Sequence, residues 1–238
     1  CTHENGLQQE DVNITFTDKE GKSIWINGTT KYPNKKPSKV NLNYPAASGI
    51  VGNTTVNFTW DVSIDLDEDS IIYSTYLGNV SPSIPLGPTS STYKSIAALI
   101  DNETYYWHVI AKDDFESQNA SETRNFTIDV TYPLIEFLGD TAQSGAYSAS
   151  YGELQNDINL SVSVEEINKK NITFYLYNST YDLVDNITFN TSNWQTIHSF
   201  YVEDLDELYY YNVTVYDEVN HKNWTETRNI TLDSLNPE

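Results

Sequence analysis

Methionine is missing altogether, cysteine appears once, histidine four times, and only 13 Lys and Arg stand against 34 Asp and Glu in 238 residues. Each shortage excludes something. A single cysteine forbids an internal disulfide framework, so any core must hold by packing alone. The formal charge of −21 leaves no basic cluster of the kind that releases counterions from nucleic acid or anionic lipid, and nucleic acid is set aside as a partner. No run approaches the roughly 18–20 apolar residues that a membrane-spanning helix requires. Without even an initiator Met, the sequence reads as a processed chain or an excised fragment. The histidines, His3, His108, His198 and His221, show no metal-ligand spacing and read as ordinary polar positions. A Gly-rich phosphate loop, a nucleophile constellation and spaced catalytic carboxylates are also missing, so no enzymatic activity is expected.

The lone thiol is Cys1, and the polar stretch THENGLQQED follows it. A cleaved lipoprotein has that arrangement, so a lipid anchor on Cys1 is an expectation and the only membrane contact foreseen. At the other end, LDSLNPE reads like a linker.

What is present is strand signal. Val/Ile/Thr/Tyr/Phe-rich runs alternate with polar residues, turn residues recur every 8–12 positions, and no helical period emerges. The fold class is all-β. Strands are expected at 39–44, 53–62, 70–78, 92–99, 104–112 and 119–129, then at 133–138, 156–164, 171–178, 182–190, 194–202, 208–216 and 223–232. Six or seven strands in each set suit a two-sheet sandwich.

An internal repeat divides the chain. YYWHVIAKDDFESQNASETRNFTID (105–129) aligns without gaps on YYYNVTVYDEVNHKNWTETRNITLD (209–233), with 11 of 25 positions identical. VNITFTD (12–18) echoes YNVTVYD (211–217) in its Asn-x-Thr-x-x-Asp spacing, and GKSIWING follows as a second strand. The organisation expected is an N-terminal tether and β-hairpin at 1–37, a sandwich at 38–131 and a second at 132–238. Residues 1–37 could end a preceding repeat, dock on the next domain or exchange between subunits.

The middle domain resembles fibronectin type III domains of the microbial extracellular kind. The residues that carry this are Trp60 in NFTWDVS, Tyr73 and Tyr76 in IIYSTYLG, and LIDNETYYWHVIAKD (99–113), where Leu99, Tyr105, Trp107, Val109 and Ala111 share one phase. The resemblance implies that Leu99 and Tyr105 build a tyrosine corner. The last domain is similar to Ig-like repeats of bacterial and archaeal surface proteins, although Leu205 sits only four residues before Tyr209. Such architectures host many roles, so the likeness specifies fold better than function.

Sixteen Asn-x-Ser/Thr triplets occur, at Asn13, Asn27, Asn53, Asn57, Asn79, Asn102, Asn119, Asn125, Asn159, Asn171, Asn178, Asn186, Asn190, Asn212, Asn223 and Asn229. Composition alone gives roughly five. In eleven the middle residue is apolar (Ile14, Phe58, Val80, Ala120, Phe126, Leu160, Ile172, Ile187, Val213, Trp224, Ile230). On a strand that phase buries the middle residue and turns Asn and hydroxyl to solvent, so one motif meets the period of a half-buried strand and presents N-glycan acceptors.

DLDED (65–69) sets Asp65, Asp67 and Asp69 in a loop that, in a sandwich of this family, shares a pole with the loop holding Asp113 and Asp114. Five convergent carboxylates would suit Ca²⁺, although the Gly and distal Glu of an EF-hand loop are missing. EEINKK (165–170), the corresponding loop of the last domain, carries Lys169 and Lys170, and no metal is expected there. Outward Tyr106, Tyr175, Tyr177 and Tyr210 could stack on sugars. The small-residue stretch DTAQSGAYSASYGEL (140–154) reads as a long loop available for a partner.

These features together read as a heavily N-glycosylated extracellular structural protein, a surface-layer, stalk, filament or adhesin component, with an archaeal source suggested by the acceptor density. Its partners would be further copies or neighbouring surface proteins. The alternatives are a carbohydrate-binding adhesin module and accessory domains of a larger secreted enzyme.

Overall fold

A computed structural model describes residues 7–149, 157–203 and 207–233. Two compact units divide the chain, residues 1–129 and 130–238. The first opens with a hairpin, β1 (Leu7–Thr17) and β2 (Ser23–Pro33). Its sandwich follows as β3 (Leu42–Tyr44), β4 (Gly49–Val51), β5 (Val56–Trp60), β6 (Ile72–Gly78), β7 (Ile84–Thr89), β8 (Tyr93–Ile96), β9 (Thr104–Lys112), β10 (Gln118–Ala120) and β11 (Arg124–Ile128). The second unit comprises β12 (Leu134–Phe137), β13 (Ala146–Ala149), β14 (Asp157–Glu165), β15 (Lys169–Tyr177), β16 (Leu183–Asn190), β17 (Ile197–Tyr201), β18 (Leu208–Asp217), β19 (Lys222–Trp224) and β20 (Arg228–Asp233). Among the described residues a single 3-10 turn, Thr191–Asn193, interrupts the strands.

Strand for strand the units agree. Sheets β3-β5-β8 and β4-β11-β9-β6-β7 in the first match β12-β14-β17 and β13-β20-β18-β15-β16 in the second, and β10 on β9 matches β19 on β18. Each sandwich therefore holds nine strands among the described residues rather than the six or seven its alternation suggests. The expected strands at 119–129 and 223–232 are each two. The break has one cause: Ser121 and Thr225 offer a side-chain hydroxyl to the N–H of Val109 and Val213, at 3.0 Å in both cases, and so displace a ladder carbonyl. The parallel strands β4 and β13 pair with β11 and β20 but are only three and four residues long, and alternation does not reveal them. β13 falls inside the stretch expected to be a loop at 140–154.

Burial follows the period of two. Val56, Phe58 and Trp60 on β5 and Trp107, Val109 and Ala111 on β9 point inward, each shielding apolar surface worth about 25 cal/mol per Å². Phe58 stands edge-on between Trp107 (4.9 Å) and Phe126 (5.6 Å), the geometry that aromatic quadrupoles favour. Leu99 is buried, and the Tyr105 hydroxyl accepts the N–H of Ile100 at 3.1 Å, which forms the tyrosine corner. In the second unit Tyr211 takes the place of Trp107, and its hydroxyl donates to the Ala142 carbonyl at 2.6 Å. Burial pushes the Tyr211 phenol up to about 12. Leu205 lies outside the described residues.

One turn is built three times around an Asp and once more around Asn178 among the described residues. Asp18 Oδ1 accepts the N–H groups of Glu20 and Lys22, Asp113 Oδ1 those of Phe115 and Ser117, and Asp217 Oδ1 those of Val219 and His221. Three residues after each Asp the chain turns left-handed, at Gly21, Glu116 and Asn220. Six, four and two residues before each Asp stand Val12, Ile14 and Phe16; Trp107, Val109 and Ala111; and Tyr211, Val213 and Val215. The last six are wholly buried, whereas Ile14 and Phe16 are exposed. Ile14 pairs with Ile26 and Phe16 with Ile24, so these four share one uncovered face.

Candidate functional site

All sixteen acceptor asparagines lie among the described residues, and none is buried. Between them, Phe58, Phe126, Leu160, Ile172, Val213 and Ile230 are buried as the alternation requires. Ile187 is half-buried, and Ile14, Val80, Ala120 and Trp224 are exposed, which corrects the expectation there. Their places explain it: Ile14 is on the hairpin, Val80 in a turn, Ala120 and Trp224 on three-residue strands. Hydroxyls also depart from the expectation, because Ser161, Thr173, Thr214 and Thr225 are buried.

The asparagines differ in what their amides do. Asn125 and Asn229, at matching places in the two repeats, use the carboxamide oxygen to accept the N–H of Ser48 and Gly145, leaving the nitrogen, the atom that carries a glycan, without a hydrogen bond. Asn119 and Asn223, also matched, do the reverse: each nitrogen donates to a proline carbonyl, Pro37 at 3.1 Å and Pro133 at 2.8 Å. These two fasten the segment that enters their own unit. Ser121 and Thr225, the hydroxyl partners in those triplets, are the residues that break the ladder. Asparagine and hydroxyl here have structural work that a triplet count does not disclose.

The outer face of the larger sheet in the second unit concentrates acceptors among aromatics. Asn171 lies opposite Asn190, while Tyr175 lies between Asn186 on β16 and Asn212 on β18. Strands spaced about 4.8 Å apart put Asn186 and Asn212 about 10 Å from one another. Asn212 helps line an open cleft of about 340 Å³ together with Tyr175, Tyr177, Thr214, Lys222 and Trp224. Tyr175 and Tyr177 are stacked at 6.2 Å, and the Lys222 ammonium lies 5.5 Å over Trp224. Tyr210 stacks instead on Tyr181 at 4.1 Å, and Tyr106 is half-buried on β9.

Of the five expected carboxylates, three converge. Asp65, Asp69 and Asp113 each bring an oxygen within 4.8 Å of the others. Asp67 turns away to Lys35, accepting its backbone N–H at 2.6 Å and its ammonium at 3.0 Å, contacts that hold the Asp67 carboxyl below its ordinary range. Asp114 is exposed and outside the cluster. Burial, then the charges of Asp65 and Asp113, hold the Asp69 carboxyl above its ordinary range.

Two histidines are less ordinary than the sequence suggests. The His221 Nδ1 lies 2.8 Å from Asp217 Oδ2, a pair whose carboxylate is fully buried. His198 sits against Phe174, Phe189 and Phe200. The signal for the first lay in the repeat, since His221 follows the repeated Asp by four residues. Cys1 and the end of the 140–154 stretch lie outside the described residues.

No protein-family model matches the sequence, and no curated relative is found by sequence similarity. Solved structures do resemble it. Domains A168–A170 of titin superpose with a TM-score of 0.54 at 11% identity, covering 99% of this chain and 85% of that one. The fold is that of tandem fibronectin III/Ig-like sandwiches. Fibronectin(III)-like modules of Clostridium thermocellum CbhA (TM-score 0.48, 10% identity, 82% of this chain and 94% of that one) are also similar. So are the FN1–FN3 domains of chicken CNTN1 (TM-score 0.49, 10% identity, 94% and 77%). At 11% identity the titin likeness shows the fold and nothing finer. Among the described residues no helix is long and apolar enough to cross a membrane.

Proposed function

We propose that this protein is an N-glycosylated structural component of a cell exterior, working by spacing and contact rather than by turnover. The observation that carries the reading is the outward placement of the acceptors: sixteen asparagines, an excess over composition, and not one of them buried. Sugars on the outer sheet face around Asn171, Asn186, Asn190 and Asn212 would coat strands whose side chains would otherwise be open to other chains and to proteases. The hairpin supplies the contact. Its apolar face holds core positions without a core, and an isolated two-stranded hairpin is at best marginal in water, so the complementary sheet of another sandwich is the surface it fits.

Labelling intact cells with a membrane-impermeant amine reagent tests the location. Exposed hairpin lysines Lys19 and Lys22 should be modified before lysis. Modification only after lysis contradicts the reading.

A carbohydrate-binding role is the second reading, favoured by the cleft of Tyr175, Tyr177 and Trp224. It competes with the first, because a glycan on Asn212 starts inside that cleft. If binding is the role, Trp224→Ala abolishes retention on a glycan array, and Asn212→Gln does not weaken it.

A further inference from the structure

The geometry points to a calcium site at one pole of the first unit, formed by Asp65, Asp69 and Asp113. Three observations meet there. First, one oxygen from each carboxylate lies within 4.8 Å of the other two. Oxygens on one ion can be no further apart than twice the metal–oxygen distance, about 4.6–5.2 Å for Ca²⁺ and about 4.0–4.2 Å for Mg²⁺. Their spacing is therefore of the order that an ion of calcium's size spans, and small side-chain shifts close the three oxygens onto it. Secondly, Asp65 is only 9% exposed, and its Oδ2 is buried without a hydrogen-bond partner. A buried carboxylate oxygen left unmatched is costly, and a cation is the partner its charge calls for. Thirdly, Lys35, which approaches this pole, is spent on Asp67, and no ion pair among the described residues involves Asp65 or Asp113.

The remaining contacts hold the ligands in place. Asp113 Oδ1 accepts the N–H groups of Phe115 and Ser117, and its Oδ2 accepts from the Asn34 side chain at 2.8 Å. Asp65 Oδ1 accepts the Asp67 N–H at 2.8 Å. Both carboxylates are thus fixed by the backbone of their own loops, with lone pairs left over. The donor set is all oxygen, with neither thiolate nor imidazole, which selects a hard cation over zinc or copper. Three carboxylates fall short of the six to eight oxygens calcium takes, so water completes the shell and the affinity belongs to the weak extracellular range, Kd about 10⁻⁴–10⁻³ M.

The full chain, freed of metal with a chelator, is titrated with CaCl₂ and separately with MgCl₂ by calorimetry, and its thermal unfolding is followed at 10 mM of each. One calcium per chain should bind, raising an unfolding midpoint by several degrees, with magnesium at least tenfold weaker. Asp65→Asn and Asp69→Asn should each weaken calcium binding at least tenfold, and Asp114→Asn should leave it unchanged. No calcium heat, equal magnesium binding, or wild-type binding by a folded Asp65→Asn chain overturns the site. If that variant fails to fold, the comparison of calcium with magnesium on the wild-type chain still decides.

Discussion

The two units share nine strands, their order, their pairing and an Asp-capped turn, yet they solve the same pole differently. In the first, Asp113 faces two more carboxylates; in the second, Asp217 meets His221, and the matching loop carries Lys169 and Lys170, the first lying over Trp194 and the second bonded to Asn220. The frame tolerates both because the turn needs only one carboxylate oxygen. Asp Oδ1 satisfies two loop N–H groups in each unit, and Oδ2 is left for whatever the loop brings. Structural identity at Oδ1 and divergence at Oδ2 is how a repeated sandwich can hold its fold while its ends specialise.

The hairpin extends the comparison to a third member and gives the largest predicted contrast. Trp107→Ala should lower stability of the first unit by about 3–5 kcal/mol, since it removes a fully buried ring. Val12→Ala, at the same place relative to Asp18, should change chain stability by less than about 0.5 kcal/mol because no core surrounds it. Chemical denaturation of each variant measures both, and equal costs would mean that the hairpin is already buried.

Next in size, Asp217→Ala strands two N–H groups and takes one of two partners from the His221 Nδ1, and should cost about 2–3 kcal/mol in the second unit. Asp18→Ala, whose turn is open to water, should cost less than about 1 kcal/mol by the same measurement. A smaller loss, about 1 kcal/mol, should follow Tyr105→Phe, which removes the acceptor for the Ile100 N–H.

Acidity should act on both units in the same direction. Burial pushes the His108 and His198 imidazoles below their ordinary range, against a raising influence from Asp185 at His198. The unfolded chain then takes up protons first as pH falls through about 6.5, so the contribution is whole at pH 8 and drains away toward the lower folded values. Between pH 8 and pH 5 the wild-type thermal midpoint should fall further, or rise less, than that of a chain carrying both His108→Gln and His198→Gln, and an equal change in both would contradict the assignment.

How much of this was legible in the sequence depends on which force placed each residue. Trp107, Val109 and Ala111 could be assigned to the core because their period of two is the pleat itself. The tyrosine corner was legible only through the resemblance to fibronectin type III domains, which gave the Leu99 to Tyr105 spacing its meaning. The parallel strands β4 and β13 were not, since three or four residues are too few to show alternation and are ordered by their neighbours β11 and β20. Nor was the interruption at Ser121 and Thr225, where a hydroxyl competes with the ladder. At the acidic pole, spacing named five carboxylates, but only packing could divert Asp67 to Lys35 and leave Asp65, Asp69 and Asp113 together. Among the asparagines, sequence could count acceptors but could not tell Asn125 and Asn229, held through the amide oxygen, from Asn119 and Asn223, held through the amide nitrogen.

That last difference makes the most direct test. Intact mass and glycopeptide mapping of protein purified from its own source should give a mass several kilodaltons above the 27.1 kDa polypeptide. Sugars should lie on asparagines whose side-chain nitrogen makes no hydrogen bond among the described residues, such as Asn57, Asn125, Asn186 and Asn229, and occupancy should be lowest at Asn119 and Asn223, whose nitrogens donate to backbone carbonyls. An unmodified mass would contradict the account, and the Asn-x-Ser/Thr excess would then be no more than the polar half of strand alternation.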